Sequence, residues 1–306
     1  MKYIPRTLTG VAALLLCMSV SAQPNEVEIK VTALGGSVYM LEGSGGNLGA
    51  SIGDDGIFLI DDQFAPLTPK ILAALREIDE GPVRFVINTH YHFDHVGGNE
   101  NMGEAGSVIV AHDNIRKRMT TEMFNRFMDK TFPPYPEAAL PVVTFNDRVT
   151  VHLNGESATV YHVAQAHTDG DSIVHFPQSN VIHMGDIFFN KMYPFVDLDG
   201  GGTLQGMIAG AELGLSLARE DTKFIAGHGQ ALGDVGELTE YRDYLVEARD
   251  NVQVLIDAGK TLPETISAKP TAKWDQTLGQ VWITPAQFVT FIYNSLKGIR
   301  EYTPAE

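Results

Sequence analysis

The stretch Thr89-His90-Tyr91-His92-Phe93-Asp94-His95 places four metal-binding side chains within six residues. Two imidazoles separated by one residue point the same way from an extended segment. The adjacent Asp94 and His95 can then turn toward a second ion. Further along come His167 in Ala166-His167-Thr168-Asp169-Gly170-Asp171, Asp186 in Met184-Gly185-Asp186, and His228 in Gly227-His228-Gly229. Neutral imidazole and carboxylate suit zinc, with iron and manganese as alternatives. Seven such ligands are too many for one tetrahedral ion and suit two ions that share a carboxylate and a water.

The flanking sequence shows how this segment is presented. Val83 to Asn88 reads as a strand that delivers the motif loop. Before it, Leu67, Ile71, Leu75 and Ile78 recur at helical spacing, and Gly81-Pro82 ends that helix. Val27–Val31, Ser37–Leu41, Asn47–Ile52 and Ile57–Ile60 read as strands joined by Gly-rich turns. In the second half, strands are expected at Val142–Phe145, Val149–Leu153, Thr159–Val163, Ser172–Phe176, Val181–Met184 and Lys223–Ala226. Helices are expected over Leu204–Ala218, along the Tyr241–Leu255 face up to Gly259, and from a Thr284-Pro285 start through Ala286 to Arg300. The ligands spread from 90 to 228, so one domain must contain them all. His90, His167, Asp186 and His228 each fall at or soon after a strand end, where loops on a rigid sheet edge can preorganise a metal site.

A His-x-His-x-Asp-His motif followed by His, Asp and His at wide spacings resembles the metallo-β-lactamase superfamily, over roughly Val27 to Leu245. The resemblance implies an α/β fold, a four-layer α/β/β/α sandwich in a single domain; periodicity alone shows only mixed strands and helices. It also implies that His90, His92 and His167 hold a first zinc, that Asp94, His95 and His228 hold a second, and that Asp186 bridges them. Asp94 would in addition orient a hydroxide shared by the ions, the nucleophile for a carbonyl bond. Asp61 stands where relatives keep a carboxylate that orients a ligand histidine; a turn-forming role is an equal reading.

Substrate contacts are less legible. Lys191 could attract a substrate carboxylate, or be a solvated lysine. Asp199-Gly200-Gly201-Gly202-Thr203 could present backbone N–H groups to an anion, or be a flexible cap. The apolar residues Phe124, Phe127, Met128, Phe132 and Tyr135 suit either a lid over the site or a packed helix. His112, His152, His162, His175 and His183 show no ligand pattern and are read as structural.

Residues 1–22 read as a signal peptide. Lys2 and Arg6 form a basic start, Leu8 to Val20 is apolar but too short to span a bilayer, and Val20-Ser21-Ala22 is a small-residue cleavage signature. The mature domain is then 23–306, exported without a stable membrane anchor, and periplasmic in a Gram-negative source. Cys17 is the only cysteine and would leave with the signal, so neither a disulfide nor a thiolate ligand remains. Loss of Lys2 and Arg6 takes Lys+Arg from 22 to 20 against 38 Asp+Glu, a net of −18. Such a surface repels phosphate backbones, so no nucleic-acid partner is expected. The expected partner is a small molecule with a hydrolysable carbonyl, and the oligomeric state is not legible.

The resemblance also separates reaction classes. His92 is not the glutamate of the flavodiiron relatives. Asp94, His95 and His228 complete a second site that the mononuclear dioxygenase relatives lack. A dinuclear, β-lactamase-like hydrolase is the expectation, with weak or promiscuous β-lactam opening. Established β-lactamases of the family usually carry cysteine or serine where Asp186 stands, which keeps a lactonase or a glyoxalase II-like thioesterase as the alternative. A zinc-binding protein without catalysis is the reading from another class.

Overall fold

Gly56-Ile57-Phe58-Leu59-Ile60 is buried at every position, so this strand has apolar matter on both faces. Side chains alternate along a strand. Ile57 and Leu59 join a cluster with helix residues Ile71, Leu75 and Met102. Phe58 and Ile60 join another with Val160, Val174, Phe176 and Ile225 from distant strands. A helix layer on one side and a second sheet on the other are thus written into one strand.

The computed structural model describes residues 27–304. The expected signal segment lies outside the described residues. Strands β1 (Lys30–Gly35), β2 (Val38–Glu42), β3 (Leu48–Gly53) and β4 (Gly56–Ile60) form an antiparallel run. Helix α1 (Thr68–Arg76) leads to β5 (Val83–Ile87), parallel to β4. The short helices α2 (Phe93–Val96) and α3 (Asn99–Glu104) precede β6 (Val108–His112). After α4 (Asp113–Met119) comes a hairpin of β7 (Met123–Asn125) and β8 (Lys130–Phe132). Then β9 (Val143–Phe145) completes a seven-stranded sheet of order β1-β2-β3-β4-β5-β6-β9.

The second half begins with the antiparallel run β10 (Arg148–Leu153), β11 (Glu156–His162), β12 (Ser172–Phe176) and β13 (Val181–His183). The two-residue β14 (Phe189–Asn190) and the helix α5 (Leu204–Leu217) follow. Next, β15 (Lys223–Ile225) pairs parallel with β13, β16 (His228–Gly229) pairs with β14, and β17 (Leu232–Gly233) closes a six-stranded sheet. Helices α6 (Val235–Asp257), α7 (Leu262–Ser267) and α8 (Pro285–Leu296) end the chain. A core of Val163, Ile173, Ile182 and Phe224 with Met207, Leu238, Leu245 and Phe288 seats α5, α6 and α8 on the outer face of the second sheet. The layers are therefore helix, sheet, sheet, helix, as expected. Among the described residues no helix is long and apolar enough to cross a membrane.

Local chemistry sets the boundaries. At the start of α6, Asp234 accepts from the Glu237 N–H at 2.8 Å and the Glu237 side chain accepts from the Asp234 N–H at 3.2 Å, a capping box worth about 1 kcal/mol. Helix α8 starts at the expected Thr284-Pro285 but ends at Leu296 rather than Arg300, with Gly298 at φ 68° turning the chain. Residues 124–135 form no helix. Met123 pairs with Phe132 and Asn125 with Lys130, Asp129 turns at φ 48°, and Pro133-Pro134 offer no N–H to extend the ladder.

The interface between the sheets should dominate stability. Phe58 is 1% exposed and meets Phe176 edge-on at 6.2 Å. Phe58→Ala should lower unfolding free energy by about 3–5 kcal/mol, read by urea denaturation of the metal-loaded protein. A loss under about 1 kcal/mol would mean that the two sheets do not share this core.

Candidate metal centre

All seven sequence-selected donors meet at one end of the two sheets. Beyond the end of β5, Thr89 and His90 begin the motif, and α2 turns Asp94 and His95 inward. His167 follows β11, Asp186 sits in a short turn after β13, and His228 begins β16 after β15. These ends are stitched together. The Ser172 N–H bonds the Thr89 carbonyl at 2.8 Å, and the Gly227 N–H bonds the Gly185 carbonyl at 2.9 Å. The donors form two groups, His90, His92, His167 and Asp186 in one and Asp94, His95 and His228 in the other, with the donor atoms of each within 4.8 Å of one another.

Four of the five histidines have one ring nitrogen taken by an acceptor. His95 Nδ1 meets Asp61 Oδ2 at 2.8 Å, and His167 Nδ1 meets the Phe195 carbonyl at 2.8 Å. His92 Nε2 meets Asp197 Oδ2 at 2.8 Å. The Thr89 hydroxyl donates to Asp61 Oδ2 at 2.7 Å, so it can only accept from His90 Nδ1 at 3.1 Å. Each of these imidazoles therefore donates outward and turns a bare lone pair inward. The inward lone pairs of His92 and His167 face each other at 2.8 Å, and buried His90 Nε2 and Asp186 Oδ1 have no hydrogen-bond partner. Neutral nitrogens aimed together are repulsive unless a cation lies among them, so the donor set fits metal ions.

Asp186 stands between the two groups. Its Oδ2 is 3.7 Å from His90 Nε2, 3.5 Å from His167 Nε2 and 3.3 Å from His228 Nε2, while Oδ1 is 3.1 Å from His95 Nε2. Burial pushes His90 well below the usual imidazole range and His167 down to about 4, so both stay neutral near pH 7. On the other side, burial opposes charge at His228, but Asp186 and Asp94 outweigh it and push the ring up to about 10. Burial works to raise Asp94, and the charges of His95 and His228 override it, holding the carboxyl at about 2. Asp94 and His228 are also the more open donors, with side chains 19% and 21% exposed.

Asp61 proves to be a hub. It adopts φ 59°, takes the Thr89 N–H at 2.7 Å as well as the Thr89 hydroxyl, and orients His95. Asp197 had no signal in the sequence. It is 1% exposed and accepts from His92, from Tyr91 Oη at 2.5 Å and from the Gly200 N–H at 2.9 Å. Burial would raise its carboxyl, but the bonds from His92 and Tyr91 hold it at about 2. The Asp199–Thr203 run caps α5: Thr203 Oγ1 accepts from the Gly206 N–H at 2.9 Å. Gly46 passes so close to the His95 ring that a Cβ there would overlap it.

Lys191 sits apart from the donors. Its backbone turns at φ 62°, and Nζ lies 3.4 Å from both Glu237 and Glu240 of α6. It lines a cleft with Tyr241 and Trp274 that none of the seven donors lines. Its side chain is 47% exposed, as the solvated-lysine reading has it.

A two-part donor centre at one edge of an α/β/β/α sandwich defines the class of this protein. A model of the metallo-beta-lactamase superfamily matches residues 31–228, and the chain belongs to that superfamily. The hydroxyacylglutathione hydrolase of Gloeobacter violaceus (strain ATCC 29082 / PCC 7421) is 28% identical over 242 residues, covering 72% of this chain and 85% of that protein. The 2,4-dinitroanisole O-demethylase subunit alpha of Nocardioides sp. (strain JS1661) is 23% identical over 141 residues, 45% of this chain and 39% of that one. A hydroxyacylglutathione hydrolase of Maricaulis maris (strain MCS10) is likewise matched over only 41% of its length. Among solved structures, DIM-1 metallo-beta-lactamase superposes with a TM-score of 0.58 at 16% identity, covering 73% of this chain and 100% of that one. The sec-alkylsulfatase Pisa1 from Pseudomonas sp. gives 0.63 at 14% identity, covering 87% and 50%. At such identities the structural likeness concerns the fold.

The hub role of Asp61 is testable. Asparagine tolerates its left-handed backbone but cannot accept from Thr89 and His95 as a carboxylate does. Asp61→Asn should weaken metal binding about 10- to 100-fold, read by chelator competition, with the circular dichroism spectrum kept. Unchanged affinity would reduce Asp61 to a turn former.

Proposed function

We propose that the protein is a metal-dependent hydrolase that opens a carbonyl bond of a small molecule with two divalent ions, zinc before iron or manganese. The observation that carries this reading is the place of Asp186, 3.1–3.7 Å from ring nitrogens of both donor groups. His90, His92 and His167 would hold one ion, Asp94, His95 and His228 the other, and Asp186 both. Such a pair of ions acidifies a water and polarises a carbonyl oxygen.

The chain's own residues set the conditions for that chemistry. Asp61, through Thr89, and Asp197 keep ligand rings in one tautomer and one orientation, which makes the site rigid before substrate arrives. The buried side, with His90 and His167 both 0% exposed, excludes bulk water. The Asp94 side is reachable from solvent, and its carboxylate is ionised, so it can hold an ion and accept a hydrogen bond from the attacking water. A binding-only zinc site needs no more than four donors closed around one ion, and Asp94, His95 and His228 go beyond that need.

Among carbonyl substrates, a thioester or lactone is favoured over a β-lactam. Asp186 occupies the bridging place, and the 28% identical relative spanning most of the chain is named a hydroxyacylglutathione hydrolase. Weak β-lactam opening remains part of the proposal.

Purified protein should carry about two divalent ions per chain, and Asp186→Ala should lower metal content and turnover together, measured by elemental analysis. One tightly held ion, unaffected by Asp186→Ala, would replace the dinuclear reading with a mononuclear one. Asp94→Asn should keep the fold by circular dichroism and lose about a hundredfold or more in turnover of a thioester, a lactone and a chromogenic β-lactam. A folded, metal-replete wild type that opens none of the three would sink the carbonyl-hydrolase reading.

A further inference from the structure

A cleft of about 420 Å³ runs beside α6, and none of the seven donors lines it. Its lining is aromatic on one part and acidic on another. Tyr244 meets Tyr241 edge-on at 5.3 Å and lies 5.8 Å from Trp274. Helix α6 turns Glu237, Glu240, Asp243 and Glu247 to the same side, at spacings of three and four residues. Asp243 is engaged by Arg242 at 2.6 Å. Three glutamates then face the only two cations that line the cleft, Lys191 and Lys273.

The chain's own lysines show what this lining receives. Lys273 Nζ lies 2.6 Å from Glu247 and 4.9 Å from the centre of the Trp274 ring, so a carboxylate and an aromatic face hold one ammonium together. Lys191 Nζ stands 3.4 Å from both Glu237 and Glu240, longer than the roughly 2.7–2.9 Å of a charge-assisted hydrogen bond. Its backbone, at φ 62°, is in a region that side chains rarely adopt. Both lysines are well solvated, and exposed pairs of this kind contribute little to stability, so an ammonium from outside can replace them at small cost. The glutamates are fixed on a helix and stay, so an entering anion would meet them as a repulsive wall. Seven residues part Glu240 from Glu247, two helical turns or about 10.5 Å, and Tyr244 stands between them.

We propose that this cleft is a second binding site of the protein, for a linear organic dication. One ammonium group sits at Glu237 and Glu240, the other about 10 Å away at Glu247, and the alkyl chain that joins them lies over Tyr244 and Trp274. The cleft takes no residue from the metal centre, so the site stands or falls independently of the hydrolase reading above.

The test is calorimetric titration of the full, metal-loaded chain at neutral pH and low ionic strength with 1,8-diaminooctane, 1-aminooctane and 1,3-diaminopropane. All three are then protonated and offer a metal ion no lone pair. Wild type should bind the long diamine at least about fivefold more tightly than the other two, because it alone reaches both ends of the cleft with its chain on the aromatic rings. Glu240→Gln/Glu247→Gln, at positions 76% and 48% exposed, should abolish that preference with the circular dichroism spectrum kept. Glu100→Gln/Glu104→Gln, at exposed positions of α3, removes the same charge and should leave the preference intact. Equal binding of the three amines by wild type overturns the proposal. So does a preference that survives the α6 variant, as binding at the metal centre would, or one that the α3 variant loses equally.

Discussion

One carboxylate with no direct place in either donor group holds the centre together. Asp61 sits at the end of β4 in a left-handed backbone that β-strand geometry would not choose. From there it reaches His95 directly and His90 through Thr89. One ring of each donor group thus takes its tautomer from the same side chain. The backbone strain, on the order of 1–3 kcal/mol for such a conformation, is tolerated because three hydrogen bonds and the Ile87 carbonyl over-determine the residue. The rest of the sandwich serves to keep β4 and β5 in register so that these contacts can form.

The electrostatics follow from where each donor is buried. The deep histidines, His90 and His167, are kept neutral by burial, which is the form a metal ligand needs. On the other side burial opposes charge, but Asp186 and Asp94 favour protonated His95 and His228, so an ion bound there must displace those protons. The two halves are therefore unlike in charge and in access to solvent. One is suited to holding an ion in a fixed cage, the other to meeting substrate and water.

The donor residues were legible because histidine and aspartate are sparse, their motif is local, and each distant donor follows a strand end. Helices α6 and α8 were legible from periodicity along α6 with its stop at Gly259 and from the Thr284-Pro285 start of α8. What was hidden was hidden for physical reasons. Asp197 acts on His92 from 105 residues away, and nothing local marks it. The β7 and β8 strands are three residues each, too short for alternation to be distinguished from helical spacing. Lys191 was open to two readings, because the left-handed turn and the two glutamates of a later helix that decide where it points are not marked in the sequence around it. The layer order was supplied by resemblance, since strands such as β14 and β16 have two residues and no pattern of their own.

The seat of Phe127 has a consequence for modularity. The family match ends at His228, yet this ring rests against Phe291 and Tyr302, and Arg126 pairs with Glu301 at 3.0 Å. The last helix and the segment after it are thus structural partners of a hairpin placed more than 150 residues earlier. Residues 31–228 are not an interchangeable cassette. A chimaera that exchanged them between relatives would carry all seven donors but would lose the aromatic contacts and the ion pair that seat this hairpin.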